Sequence, residues 1–213
     1  MKIIGLYSGT STLIGPKRSP SAIYKQAQDK VMVNELGIVG DVQANTKVHG
    51  GPQKALHQYG LRSYEKIIKR YPLLHRTAKP GSIGENLCAT EMDDETVCIG
   101  DIYQLGNISV QVSSPRIPCW KIDVRLNQPD LHKFVAASLS TGWYYRVLQG
   151  GELAVGDEVS LVERPNPDLS IRAFMQIVNG DIVDASYISK AAKAQGLDPG
   201  WVGRLETKLK HIK

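Results

Sequence analysis

The sequence predicts a mainly β protein: an antiparallel β-barrel with a few peripheral helices over residues 1–164, then a small three-helix subdomain over 165–213. Three observations predict this fold. Hydrophobic residues alternate with a period of two through much of the first part. Gly-Asp pairs at 40–41, 100–101 and 156–157 resemble the turns between barrel strands. Beyond residue 164 the hydrophobic period becomes helical.

The strands and peripheral helices follow from local periodicity. The segment "ISVQVSS" predicts a strand with Ile108, Val110 and Val112 on one face. An apolar stripe at helical spacing predicts a helix over 61–71, which a proline then ends. A second helix is predicted over about 129–138.

The C-terminal part follows "ERPNPDLS", a stretch typical of a linker. The predicted helices span 170–179, 184–195 and 199–212. Asp184 and Asp198 are expected helix N-caps, and Pro199 suits the first helical position. Because so short a segment cannot bury a large core alone, we expect it to dock on the barrel or on a partner.

Composition narrows the class of protein without naming a function. No run approaches the roughly 18 apolar residues of a membrane span, and the first residues lack a small-residue cleavage site, so we expect a cytoplasmic protein. Cys88, Cys98 and Cys119 form no C-x-x-C pair, which disfavours a disulfide framework or a four-cysteine zinc site. The net charge of +5 favours anionic ligands or partners. A homodimer is among the assemblies that the sequence allows.

The stretch "KVHGGPQKALHQYG" combines His49, Lys54 and His57 with a Gly-Gly turn. Such a turn lets backbone approach a ligand, and a lysine offers a point charge to phosphate. The order of a P-loop is absent, and the two histidines lack a third zinc ligand at a familiar spacing. A basic surface turn remains the alternative.

Two further clusters could bind a polar ligand. The loop "GSIGEN" offers Asn86 to a heterocycle or a phosphate, although glycine-rich turns are also common in barrels. In "TGWYYRVLQGG", Arg146 could grip a phosphate beside large aromatic faces, although core packing explains many of those aromatics. The sequence disfavours nucleic acid as a partner, since no RNA-binding motif accompanies these aromatic residues.

Cys119 lies in "SSPRIPCWKID", directly after a predicted strand. Pro115 and Pro118 remove two backbone donors, so the chain must leave the sheet there as an irregular loop. Arg116 and Lys121 can favour the thiolate of a nearby cysteine. A soft thiolate on such a loop suits a metal centre or nucleophilic attack, and an inert cysteine is equally compatible.

Taken together, these motifs resemble the MOSC family, named for the C-terminal domain of molybdenum-cofactor sulfurase, and within it the YiiM-type members. The resemblance covers roughly residues 30–165, and the helical tail looks like the three-helix appendage of YiiM-type proteins. It is carried, in order, by "VHGGPQKALHQY", "GSIGENL", "IGDIYQLG", "SSPRIPCWKID", "GWYYRVLQGG" and "VGDEVSLVERP".

The resemblance implies a barrel that holds the molybdenum cofactor (Mo-molybdopterin), with Cys119 as the protein ligand to molybdenum. It implies reduction of N-hydroxylated compounds, such as N-hydroxylated purine bases, with electrons from a separate flavoprotein reductase. His57 is the expected proton donor, because imidazoles ordinarily titrate near neutral pH. The expected cofactor-binding residues are Lys54, His57, Asn86, Arg116 and Arg146.

Two other functions stay open at this point. A carrier of the cofactor or of sulfur would use Cys119 without turnover. A metal-free enzyme would use Cys119 as a nucleophile, although no third residue that would orient a Cys-His pair is evident. A nucleic-acid-binding module is a weaker alternative.

Overall fold

The computed structural model describes residues 1–44 and 50–212. Helix and strand each account for 29% of the described residues, so the fold is mixed α/β. The fold prediction is confirmed in part: a large sheet with helices around it is present, but helix is as abundant as strand. Several predicted strand regions are short strands joined by irregular loops, because glycines and prolines interrupt the period-two pattern. The strands are β1 (Ile3–Ser8), β2 (Thr12–Ile14), β3 (Ser19–Ser21), β4 (Gln26–Gln28), β5 (Lys30–Asn34), β6 (Gly37–Ile38), β7 (Leu56–Gln58), β8 (Leu87–Ala89), β9 (Ile102–Leu105), β10 (Ile108–Pro115), β11 (Trp143–Gln149), β12 (Gly151–Ala154) and β13 (Val159–Glu163). The α-helices are α1 (Leu61–Arg70), α2 (Lys121–Leu126), α3 (Leu131–Ala137), α4 (Ile171–Asn179), α5 (Ala185–Ala192) and α6 (Pro199–His211).

One large mixed sheet organises the molecule. Its eight strands run in the order β13-β9-β10-β11-β7-β8-β1-β4, and the pairs are antiparallel except for β7 with β8. Within the described residues the sheet does not close into the predicted barrel. An isolated bridge between Lys2 and Glu158 links the strand regions that precede β1 and β13, but no continuous ladder joins them. Two small sheets, β12-β5-β6 and β2-β3, complete the strands.

The predicted strand and helices of the first part are confirmed with small shifts of their ends. Ile108, Val110 and Val112 are all fully buried on β10. The helix predicted over 61–71 is α1, and the one predicted over 129–138 is α3. The period-two pattern on β10 therefore identified a face that packs into the main core.

The three C-terminal helices also form where the pattern indicates. The Asp184 side chain accepts a hydrogen bond from the Tyr187 amide at 2.7 Å, and Asp198 accepts one from the Gly200 amide at 2.7 Å. Both aspartates thus satisfy amide groups that the first turn of a helix leaves unpaired. Both predicted N-caps are confirmed.

The C-terminal helices dock on the sheet. Phe174 and Trp201 belong to the same hydrophobic cluster as the sheet residues. The Asp198 amide also donates to the carbonyl of Ser113 on β10 at 2.9 Å. The division into two domains at residue 164 stays a prediction, but the two parts share one apolar core.

The link between the two parts is held by buried charge. Asp101 is fully buried, and the Arg164 guanidinium donates to both of its carboxylate oxygens, at 2.9 and 2.7 Å. Asn166 donates to the carbonyl of Ile99 at 2.8 Å. The bidentate pair of Arg164 with Asp101 fixes the chain where it leaves β13.

Within the described residues, the structure has no helix with the length and apolar character of a membrane span.

Because sheet and tail share a core, Phe174→Ala should destabilise the whole protein. We expect the free energy of unfolding to fall by about 3–5 kcal/mol, since a fully buried ring leaves a cavity. The control is Leu73→Ala, at a side chain that is 92% exposed, which should change it by about 0.5 kcal/mol or less. Urea unfolding followed by circular dichroism measures both. A local loss of helix signal with the sheet transition unmoved would contradict the shared core.

Candidate active site

A cleft open to solvent lies beside the β7 and β11 strands, and a water-sized molecule can occupy about 100 Å³ of it. Five of the six predicted site residues line it: Lys54, His57, Asn86, Arg116 and Cys119. Segments distant in sequence therefore converge on one concave surface.

Cys119 enters the cleft from the irregular loop between β10 and α2. The Arg116 amide donates to the carbonyl of Gly142, the residue before β11, at 3.0 Å, and the Ile122 amide of α2 donates to the carbonyl of Cys119 at 3.0 Å. The thiol residue is half-buried. The predicted irregular loop is confirmed from Arg116 onward, whereas Pro115 still pairs with Trp143 at the end of β10. The loop holds the cysteine accessible to a ligand.

Arg116 places a buried positive charge next to the cysteine. The residue is only 5% exposed, and within the described part of the chain its Nη1 atom has no hydrogen-bond partner. Burial raises the pKa of the neighbouring Tyr144 hydroxyl, and the Arg116 charge opposes that rise. A buried guanidinium nitrogen without a partner is costly, so an anion in the cleft would stabilise it.

His57 and Tyr144 face each other across the β7–β11 pair. They are directly paired in register, and their ring centres lie 5.3 Å apart. The Lys54 ammonium lies 6.0 Å from the centre of the Tyr144 ring. His49, the other histidine of this motif, lies outside the described residues. Among those described, no cluster of three or more His, Cys, Asp or Glu side chains suits a metal.

Asn86 lines the cleft and also holds its walls together. Its side-chain oxygen accepts from the His57 amide at 3.2 Å. Its side-chain nitrogen donates to the carbonyl of Tyr7 at 3.1 Å and to the carboxylate of Asp41 at 2.8 Å. These hydrogen bonds of the Asn86 side chain all go to protein groups, so its role in the structure is to position His57, Tyr7 and Asp41 relative to one another.

An ion pair that the sequence analysis missed lies in the same cleft. Lys25 donates to Asp41 at 2.6 Å, and their side chains are only 5% and 7% exposed. Burial lowers the pKa of Lys25, and the Asp41 charge opposes that change. The sequence signal was Gly40-Asp41, which we interpreted as a third turn. That turn forms, since the Asp41 amide donates to the carbonyl of Ile38 at 3.0 Å, and the Asp41 carboxylate in addition accepts from Lys25, Asn86 and the Gly9 amide.

The electrostatic balance of the cleft is positive. Lys25 is neutralised by Asp41, so Lys54, Arg116 and Lys121 supply the excess charge among its described lining residues. Lys121 also donates to the carbonyl of Pro20 at 2.6 Å, which orients it along the rim. A cleft of this kind favours an anionic ligand.

The structure does not bring Arg146, the sixth predicted residue, into this cleft. Its guanidinium bonds to Gln53, at 2.8 Å from Nε, and to Gln111, at 2.7 Å from Nη1. Arg146 lies two residues beyond Tyr144 on β11 and so on the same face of the strand, but further along it, where Gln53 and Gln111 hold its side chain. These hydrogen bonds of Arg146 join protein segments to one another.

The remaining cysteines are unlike Cys119 in their surroundings. Cys88 is fully buried, and burial raises its pKa to about 12. Cys98 is 3% exposed, and burial raises its pKa to about 11. Both are therefore held as neutral thiols, as expected for small hydrophobic core residues.

Comparison with known proteins gives the class of protein. The family model of the MOSC domain matches residues 45–160. A protein named "Reductase" from Gibberella moniliformis is 37% identical over 175 residues, which are 81% of this chain but 31% of that longer protein. The chain belongs to the MOSC domain family.

Within that family the chain is YiiM-like. Protein YiiM from Escherichia coli is 31% identical over 192 residues, covering 90% of this chain and 85% of that protein. The crystal structure of YiiM from Geobacillus stearothermophilus superposes with a TM-score of 0.81 at 28% identity, covering 98% of both chains. The match extends through the C-terminal helices.

The buried ion pair should matter for stability. We expect Lys25→Met to lower the free energy of unfolding by about 3–5 kcal/mol, because Asp41 would remain as a buried charge without its cation. Lys30→Met is the matched control, since Lys30 and its partner Glu152 are 58% and 48% exposed, and about 0.5 kcal/mol or less should be lost.

Urea unfolding measures both variants. Adding Asp41→Asn to Lys25→Met should recover part of the loss, because it removes the uncompensated charge. Equal effects of the buried and exposed lysine changes would contradict the argument.

Thiol accessibility offers a second test of the site. In the folded protein at pH 8, iodoacetamide should modify Cys119, whereas Cys88 and Cys98 should react only after unfolding, because they are buried and their pKa values are raised to about 12 and about 11. Mass spectrometry of peptides after timed quenching measures the three rates. Comparable modification of all three cysteines in folded protein would contradict this geometry.

Proposed function

We propose that this protein is a molybdenum-cofactor-dependent reductase of N-hydroxylated compounds, with Cys119 as the protein ligand to molybdenum. The observation that carries the proposal is the half-buried Cys119 thiol in one cleft with the buried Arg116, Lys54 and Lys121. A soft thiolate suits a soft metal, and the cations suit the phosphate of a pterin cofactor. The name of the Gibberella relative supports a reductase class, although this chain spans 31% of that protein.

The cleft residues fit such a cofactor. Arg116 offers a buried nitrogen that no described protein group occupies, and it lies beside the thiol in sequence and space. Lys54 and Lys121 would face the anionic groups from the rim. The Lys25–Asp41 pair would stay neutral as a unit, so that Arg116 and the rim lysines, rather than Lys25, set the attraction for anions.

When bound, the cofactor supplies two-electron chemistry, and the net reaction is R-NH-OH plus two electrons and two protons to R-NH2 and water. The protein would contribute binding, orientation and a proton. His57 is the proposed donor: it lines the cleft, and Asn86 and the β11 strand fix its backbone. Tyr144, whose pKa is raised by burial, would stay protonated and pack against the imidazole ring.

The two electrons would come from a separate flavoprotein, because the sequence has no nicotinamide or flavin fingerprint. The positive cleft and rim suit an acidic partner.

The central test replaces Cys119 with Ser in a host that makes the cofactor. We expect the wild type to carry near-stoichiometric molybdenum and to reduce an N-hydroxylated purine with an added electron donor. Cys119→Ser should lose most of both, because serine removes the soft ligand. Molybdenum is measured by mass spectrometry, pterin by fluorescence after oxidation, and turnover by product chromatography.

The matched control is Cys98→Ser, the same chemical change at a buried cysteine outside the cleft. It should retain molybdenum and turnover. Full activity of Cys119→Ser would overturn the proposal. Wild type that binds cofactor without donor-dependent reduction would instead identify a carrier, and activity indifferent to molybdenum would identify a cysteine nucleophile.

A further inference from the structure

A second and wider cavity lies next to the cleft, between the sheet and the last helix. A water-sized molecule can occupy about 460 Å³ of it, and it is open to solvent. One wall comes from α6 and the residues just before it, and the other from the Gly50–Lys54 turn and the end of β10. Lys54 and Tyr144 line both this groove and the cleft, so the two spaces meet at those side chains. We call it the tail groove.

The α6 wall of the tail groove carries the planar guanidinium group of Arg204, which is positioned by a tryptophan ring. The Arg204 guanidinium carbon lies 4.8 Å from the centre of the Trp201 ring. Trp201 is in turn held edge-on against the buried Phe174, with ring centres 5.3 Å apart. Arg204 itself is exposed and lines the groove. Planar heterocycles stack on such guanidinium planes.

The remaining lining combines apolar surface with a carboxylate, Asp198, and a second cation, Lys54. Pro52, Pro115 and the 40% exposed Ile117 supply the apolar part. Asp198 is 8% exposed, and its N-cap bond to the Gly200 amide holds it in place. A fixed carboxylate accepts hydrogen bonds from ring N-H and amino groups. The lining thus suits a planar ring that stacks on Arg204 and donates to Asp198.

We propose that the tail groove binds the planar ring of an amino-substituted heterocycle, with its N-hydroxyl group directed past Lys54 and Tyr144 toward Cys119. Arg204 stacks on the ring, and Asp198 accepts from its N-H groups. This inference rests on the proposed function for the direction of the N-hydroxyl group, but ring binding is separate from turnover. It gives the C-terminal helices a role in substrate choice.

Binding is tested without cofactor or reaction, by calorimetric titration of adenine into the full chain. We expect saturable one-to-one binding. Arg204→Ala, which removes the stacking plane, and Ile117→Trp, which fills the groove from an exposed position, should each weaken the affinity about tenfold. Lys210→Ala, an exposed lysine on the same helix that does not line the groove, should bind like wild type.

Turnover then tests the direction of the substrate. The measured quantity is kcat/KM for 6-N-hydroxylaminopurine divided by kcat/KM for hydroxylamine, which is too small to need the groove. This ratio should fall about tenfold in Arg204→Ala and Ile117→Trp and stay unchanged in Lys210→Ala. Unchanged melting temperatures show that the variants keep their fold.

The outcomes separate the two proposals. Adenine affinity that is absent in the wild type, or equal in all four proteins, would overturn the tail groove as a ring site. Groove-dependent adenine binding by a protein that reduces neither compound would support the ring site and overturn the proposed reductase. A substrate ratio that is unchanged in both groove variants would overturn the proposed path from the groove to Cys119.

Discussion

The arrangement of the cleft depends on the hydrogen bonds that the Asn86 side-chain amide makes to three separate segments. It bonds to the His57 amide of β7, to the Tyr7 carbonyl of β1 and to the Asp41 carboxylate. β7 pairs with β11 at all three of its positions but with β8 at a single one, so the backbone ladder holds it weakly on the β8 side. The Asn86 backbone amide adds a bond of 2.7 Å to the carbonyl of His57. One residue thereby fixes His57 relative to two other segments.

Charge in the cleft is arranged so that one buried cation is matched within the protein and another is not. Lys25 has Asp41 at hydrogen-bond distance, and the exposed fraction of each side chain is below a tenth. Arg116 is as deeply buried, but one of its nitrogens has no partner in the described part of the chain. Because a buried donor without a partner costs free energy, the protein bears a cost that a bound anion would relieve. This is the physical basis for placing an anionic cofactor beside Cys119.

The C-terminal helices are integrated with the sheet, which decides what they can do. Their buried side chains belong to the main hydrophobic cluster, and the bond from the Asp198 amide to the Ser113 carbonyl ties the start of α6 to β10. The strand that this bond anchors leads directly into the loop that carries Arg116 and Cys119. A wall of the tail groove is thus rigidly related to the thiol. A subsite for a substrate ring requires such a fixed position relative to the reacting group.

The sequence by itself determined the elements whose causes are local. The helical period, the two aspartate N-caps and the proline-rich loop around Cys119 each depend on neighbouring residues, and all are confirmed. The ordered motifs also gave the MOSC family. Strand order and contacts between distant segments leave the sheet open within the described residues, place Arg146 outside the cleft and pair Asp41 with Lys25. Asp101 and Asp157 each accept from the amide three residues earlier, a local bond, whereas Asp41, after a similar glycine, accepts from Gly9, Lys25 and Asn86 far along the chain.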